Sequence, residues 1–349
     1  MIELISSFIT KLRIVKKYII FRNIILYFFI VLIIPLTGIV FSEDGRAGEK
    51  LEFLSANPFS FYHIITDLEN QHPQLAHGIL RFPKHIQNKK YPLVLGVNGS
   101  KNWADHHLEY MAMYREMGFA TFEIQSFNSR NISSTVGDQT SVTTAMMILD
   151  SYKALEMLGE DKRIDIGNVA ITGWSLGGGV ALFSAWEPLI TSIGIDERFK
   201  AHLAFYPPCL VDMDLIKFSD APIHILIGEK DDWVTANACE DLVKDLNAHN
   251  VNIGITVYEE AHHGFDRIGS PVKEEDGYAT GDCHFRMRSD GALLMNIFNI
   301  PMITPFRQKV SLGWCADRGT TIGGNPSARK KSFSFARNFM EKHLGKNLP

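Results

Sequence analysis

From about residue 76 the chain switches repeatedly between the period of a buried strand and that of a helix. This alternation limits its architecture more than any other feature. Tyr91–Val97 (YPLVLGV) is a short unbroken apolar run, the pattern of a strand buried on both faces. Residues 103–117 read as a helix ended by Gly118, and Ala120–Ile124 is the next strand candidate. Val142, Ala145, Met146, Leu149, Tyr152 and Leu155 share one helical stripe, which predicts a helix over 139–158. A strand over 169–172, a helix over 177–186, strands over 201–206, 223–227 and 253–258, and a closing helix over 327–344 complete the series. Strands joined through helices form a mostly parallel sheet with helices on both faces, so the class is α/β. With 46% hydrophobic and 21% charged residues, the 349-residue chain has ample material for a core.

One junction in this series is unusual. The strand over 169–172 runs straight into Gly173-Trp174-Ser175-Leu176-Gly177, and a helix follows. Glycines two before and two after Ser175 remove side chains that would collide in a sharp turn, which lifts the hydroxyl out as a nucleophile. The N–H of Leu176, at the helix start, then faces the place where an oxyanion develops. A serine hydroxyl needs a general base, and the base needs an orienting carboxylate. Two later strand ends supply them in the order acid, then histidine. Asp231 and Asp232 follow the run ending at Gly228, and His262 and His263 follow the run ending at Tyr258. Taken singly, Ser175 is also a plain helix cap, each aspartate a turn residue and each histidine a surface or core residue. Three suitable residue types at three suitable junctions favour the reactive arrangement.

In these residues the chain resembles the α/β-hydrolases, and among them the dienelactone hydrolase-like proteins. The resemblance covers roughly residues 76–265 and the last helix. It rests on Gly118-Phe-Ala, SFNSR (126–130), RIDIGNVAITGWSLGG (163–178), FYPPC (205–209), GEKDDW (228–233) and AHHGFD (261–266). It implies the α/β-hydrolase fold, with Asp231 as the acid, His263 as the base, and Gly99 and Ser100 beside Leu176 in the oxyanion hole. Many relatives have His-Gly where this chain has Asn98-Gly99, a change that a backbone donor survives. Dienelactone hydrolases proper use a cysteine where this chain has Ser175, and a hydroxyl paired with histidine is the usual arrangement of carboxylesterases. The expected function is cleavage of carboxylic esters, lactones among them, through an acyl-serine. A serine peptidase of the same fold and a non-catalytic binding protein that kept the fold are the alternatives. Arg130 and Trp174 are candidates for substrate contact, Arg130 toward an acidic group, although an arginine there is more often half of a structural ion pair. No cofactor or metal is expected, and Asp105 and His106 read as helix-surface residues.

The first 42 residues are a different material. Residues 24–41 are uncharged and follow Lys11, Arg13, Lys16, Lys17 and Arg22, the pattern of a signal peptide or a membrane anchor. Val40 and Ser42 are small enough for cleavage after Ser42, while the long basic lead favours an anchor. Either way the remainder is expected outside the cytoplasm, exported to the periplasm or secreted. There Cys209, Cys239, Cys283 and Cys315 are disulfide candidates, although four cysteines allow three pairings. Cys209 follows a strand end and Cys239 lies on the helix after the Asp231 loop, which suggests that pair and leaves Cys283 with Cys315. No C-x-x-C or suitably spaced histidine pair points to zinc. Residues 43–75 read as a lead-in, and 76–349 as the hydrolase domain with an insertion at about 267–326. The insertion is either a lid near the site or a stapled surface excursion. A formal charge of −4 gives no reason to expect nucleic acid as a partner; the expected partner is a small-molecule ester.

Overall fold

A computed structural model describes residues 39–41, 47–84, 90–295 and 298–345. The segment expected to be a signal or anchor lies outside the described residues except for 39–41. Among the described residues, no helix is long and apolar enough to cross a membrane.

The core is a nine-stranded sheet. In chain order its strands are β1 (Ile39–Phe41), β2 (Ala47–Ala56), β3 (Pro73–Arg81), β4 (Tyr91–Val97), β5 (Ala120–Ile124), β6 (Ile164–Trp174), β7 (Ala201–Phe205), β8 (Ile223–Gly228) and β9 (Ile253–Tyr258). Their spatial order is β1-β2-β3-β5-β4-β6-β7-β8-β9. β2 pairs antiparallel with β3, and β3 with β5. Every pair from β5 to β9 is parallel. β5 and β7 are buried along their whole length, as strands covered by helices on both faces must be.

Among the described residues the α-helices are α1 (Phe61–Thr66), α2 (Asp105–Glu116), α3 (Thr144–Gly159), α4 (Leu176–Phe183), α5 (Glu187–Ile193), α6 (Ala236–Ala248), α7 (Pro305–Cys315) and α8 (Pro326–Leu344). α3 starts later than its apolar stripe suggests. Asp138 accepts hydrogen bonds from the N–H groups of Thr140 and Ser141, closing a turn, and Thr143 then caps the helix through Met146 N. The expected helix over 177–186 ends earlier, at Phe183, and Trp186, in extended geometry, caps the separate helix α5 that follows.

Register decides what this fold can do. Val97 of β4 pairs with Gly173 of β6, Trp174 of β6 with Phe205 of β7, and Gly228 of β8 with Tyr258 of β9. The carboxyl ends of these strands therefore share one edge, where ligands bind in parallel sheets. The loops holding Gly99, Ser175, Asp231 and His263 all leave from that edge.

Residues 267–326 carry structure of their own. Val272–Ala279 pairs antiparallel with Asp317–Ile322. Phe285–Met287 lies between Leu293–Leu294 and Val211–Met213, the last contributed by the chain after β7. Both expected disulfides, Cys209–Cys239 and Cys283–Cys315, are formed. They fit a chain that folds in an oxidising environment.

Candidate active site

Ser175 stands between β6 and α4 with φ 55° and ψ −113°, a conformation that costs a non-glycine residue on the order of 1–3 kcal/mol. The turn is too tight for side chains at its flanks. A Cβ on Gly173 would lie 2.0 Å from Gly177 O, and one on Gly177 would lie 2.2 Å from Val97 O. Leu176 opens α4, so its N–H has no acceptor within the helix and adds to the positive end of the dipole.

His263 Nε2 is 2.9 Å from Ser175 Oγ, and His263 Nδ1 is 2.8 Å from Asp231 Oδ2. The second carboxylate oxygen of Asp231 accepts from the N–H groups of Trp233 and Val234, each at 3.0 Å. With Asp231 as acceptor, Nδ1 carries the proton and Nε2 presents its lone pair to the serine hydroxyl. The Tyr206 and Trp233 rings pack on the imidazole with centroids 4.6 and 4.8 Å away. Its backbone is tied too: His263 forms a parallel bridge with Ile322, and His263 O accepts from Gly323 N at 3.0 Å. The insertion thus returns to brace the residue it follows.

The neighbouring residues go elsewhere. His262 Nδ1 lies 3.0 Å from Lys230 O, and Asp232 accepts from Thr321 N and Oγ1. Gly99 and Ser100 line the same small space as Ser175 and His263. A Cβ on Gly99 would lie 3.2 Å from Trp174 O, so this loop passes directly beside the serine turn.

Of the two candidate substrate contacts, Arg130 takes the ion-pair alternative, and Trp174 borders the space over Ser175. The five N–H groups of Arg130 go to Asn57 Oδ1, Ser126 O, Ala56 O and both oxygens of Asp150. Ser55 and Ser126 complete the shell of that carboxylate. The guanidinium is a buried brace joining β2, the 126–130 loop and α3, with no donor left for a ligand. Trp174 is wholly buried. It stacks on His107 at 4.5 Å and donates from Nε1 to Asp266 at 3.1 Å.

His106 is not on the surface either. Only 6% exposed, it lies 3.4 Å from Tyr206 Oη and 3.8 Å from Asp266. Burial, helped by the charge of Arg267, lowers its pKa to about 3, so it is neutral at ordinary pH. Asp105 is exposed as expected. Asp266, three residues after His263, carries no role in the sequence reading and proves central to the wall. It accepts from Trp174 Nε1 and, at 2.9 Å, from Tyr206 Oη. Burial pushes its pKa up to about 6. Tyr206 itself has φ 38°, an uncommon backbone conformation for a residue with a side chain. Arg267 also lines the space over Ser175.

A largely parallel sheet with a left-handed serine at a strand–helix turn, and a buried acid and histidine after later strands, defines an α/β-hydrolase fold. The chain belongs to the dienelactone hydrolase family, whose profile matches residues 109–288, more than half of its length. This places it among hydrolases. It is 23% identical over 120 residues to a probable 2-oxo-3-(5-oxofuran-2-ylidene)propanoate lactonase from Bradyrhizobium sp.. That match covers 34% of this chain and 48% of the relative, so it spans about half the relative's length. Among solved structures it is similar to m3DLH, with a TM-score of 0.54, 15% identity, and coverage of 85% of this chain and 99% of that one. It is also similar to the dienelactone hydrolase-like promiscuous phosphotriesterase P91 from metagenomic libraries, with a TM-score of 0.50, 14% identity and the same coverage.

Proposed function

We propose that the protein is a serine hydrolase that cleaves carboxylic esters, cyclic esters included, through an acyl-serine intermediate. The observation that carries this reading is the continuous chain from Ser175 Oγ through His263 to Asp231. As Ser175 Oγ bonds to the ester carbonyl carbon, His263 Nε2 takes the hydroxyl proton and Asp231 supports the imidazolium. The carbonyl oxygen becomes an oxyanion held by the Leu176 N–H and the Gly99–Ser100 loop. Collapse breaks the bond to the alcohol oxygen, which leaves with the proton from His263. Water, deprotonated by the same nitrogen, then releases the acid and restores Ser175. The sequence uses protein groups and water alone.

The matched lactonase supports the inclusion of lactones, since a lactone is an ester whose alcohol stays tethered. Export through the basic and apolar 1–42 segment, cleaved or kept as an anchor, is part of the reading and is supported by the disulfides. Purified protein should hydrolyse p-nitrophenyl acetate, and Ser175→Ala should abolish this. A Ser175→Ala variant with full activity would refute the mechanism.

A further inference from the structure

An apolar cavity of about 250 Å³ is lined by Leu176, the residue that follows Ser175. Four separate parts of the chain enclose it. Phe61 comes from the start of α1, Thr144 from the start of α3, Val211 from the chain after β7, and Phe285 and Leu293 from the insertion. Leu176 closes the near end. Gln308 and Gln139, two polar residues in the lining, are tied together through Gln308 Nε2 and Gln139 O at 2.7 Å. The volume exceeds the ~150 Å³ of an apolar cavity that accommodates benzene, and a mainly apolar lining favours an apolar guest.

We infer that this cavity binds the acyl group of the ester, making the enzyme selective for acids with an apolar chain longer than acetate. The inference rests on the reading of Ser175 as the nucleophile. The space over Ser175 is bounded by His263, Trp233 and Ile322, and none of these borders the apolar cavity. The departing alcohol must take its proton from His263, so the alcohol half lies on that side. The carbonyl oxygen lies at the Leu176 N–H. The remaining substituent, the acyl chain, therefore points past the Leu176 side chain into the cavity.

The far wall is built to hold its shape. Phe285 packs with Leu210, Cys283 and Met302 in a small cluster, Phe285–Met287 is paired with Val211–Met213, and the Cys283–Cys315 disulfide fastens α7 behind it. A preformed wall binds an apolar chain without first ordering itself. In this protein the insertion thus sets the acid specificity, while the parent fold supplies the chemistry.

The test is kcat/KM for p-nitrophenyl acetate, butyrate, hexanoate and octanoate, with a parallel series of alkyl acetates of growing alcohol length. Along the acyl series kcat/KM should rise about fourfold per methylene until the cavity is full, and the alcohol series should stay flat. Thr144→Trp and Leu293→Trp fill the cavity from opposite walls at half-buried positions. Either should lower the butyrate-to-acetate and hexanoate-to-acetate ratios of kcat/KM at least tenfold. An acyl series without a rise, a rise along the alcohol series instead, or an unchanged chain-length profile in both folded variants would overturn the acyl pocket. A wild-type protein that hydrolyses none of these esters would overturn the ester-hydrolase reading itself.

Discussion

Replacing Asp266 by asparagine should remove a specific slope from the pH dependence of stability. The carboxyl is fully buried, and burial raises its pKa from 3.8 to about 6, offset in part by the Tyr206 hydrogen bond and by the charges of Arg267 and Arg329. Below pH 3.8 folded and unfolded chains both hold the proton. Between about 3.8 and 6 the unfolded chain has released it and the folded one has not, so stability falls as pH rises. Above 6 the loss is complete. At about 1.4 kcal/mol per pKa unit, a shift of roughly two units corresponds to about 3 kcal/mol. An asparagine does not titrate, and it fits the same partners. Its Oδ1 can accept from Trp174 Nε1, and its amide can donate to Tyr206 Oη once the phenol hydrogen turns away. The stability of D266N relative to wild type should therefore rise by roughly 2 kcal/mol from pH 4 to pH 7, the rest of the change lying below pH 4, read as urea unfolding free energies from tryptophan fluorescence. Other titrating groups are common to both proteins and cancel. A difference constant within about 0.5 kcal/mol across that range would refute the argument.

Ser175→Ala and His263→Ala should each lower kcat by on the order of 10⁴–10⁶-fold, and Asp231→Asn by less, because nucleophile and base act as a unit. His262→Ala and Asp232→Ala should stay within about tenfold of wild type in the same chromogenic assay. Arg130→Ala strands the buried Asp150 carboxylate, so urea denaturation should show a loss of about 3–5 kcal/mol; activity per folded molecule should be kept. Replacing Cys283 and Cys315 by serine opens a loop whose ends are 32 residues apart, worth about 3–4 kcal/mol in the chain-entropy account. Its chain-length selectivity should weaken before its acetate hydrolysis does. Intact mass of protein from its native compartment should begin near Glu43 if residues 1–42 are a cleaved signal, and at Met1 in a membrane fraction if they are an anchor.

The parallel half of the fold was legible because its strands are unbroken apolar runs and its helices carry clear stripes. The Ser175 turn was legible for a local reason: glycine at 173 and 177 reports backbone crowding in the sequence itself. The antiparallel edge was not. β2 reads AGEKLEFLSA, with charges among its apolar residues and Leu54 67% exposed, so neither period stands out. Polar residues misled most. Arg130 leaves its partner unnamed until α3 brings Asp150 against it, and His106 looks exposed until Tyr206 and Asp266 cover it. Asp266 falls inside AHHGFD, yet its burial follows from strands and loops that meet only in the folded chain. A histidine pair likewise does not announce which ring turns inward. Here the Asp231 loop and the Ile322 bridge decide it.

The distance along the chain between Ser175 and His263, 88 residues, also sets a timetable. Synthesis runs from the amino end at roughly 5–20 residues per second, so the serine turn exists for some 4–18 s before its base has been made. The strand that latches His263 in place, Asp317–Ile322, comes later still. During that interval the hydroxyl is an ordinary alcohol beside unfinished machinery. On the proposed mechanism the half-built protein is therefore chemically idle, and reactivity is switched on by completion of the fold.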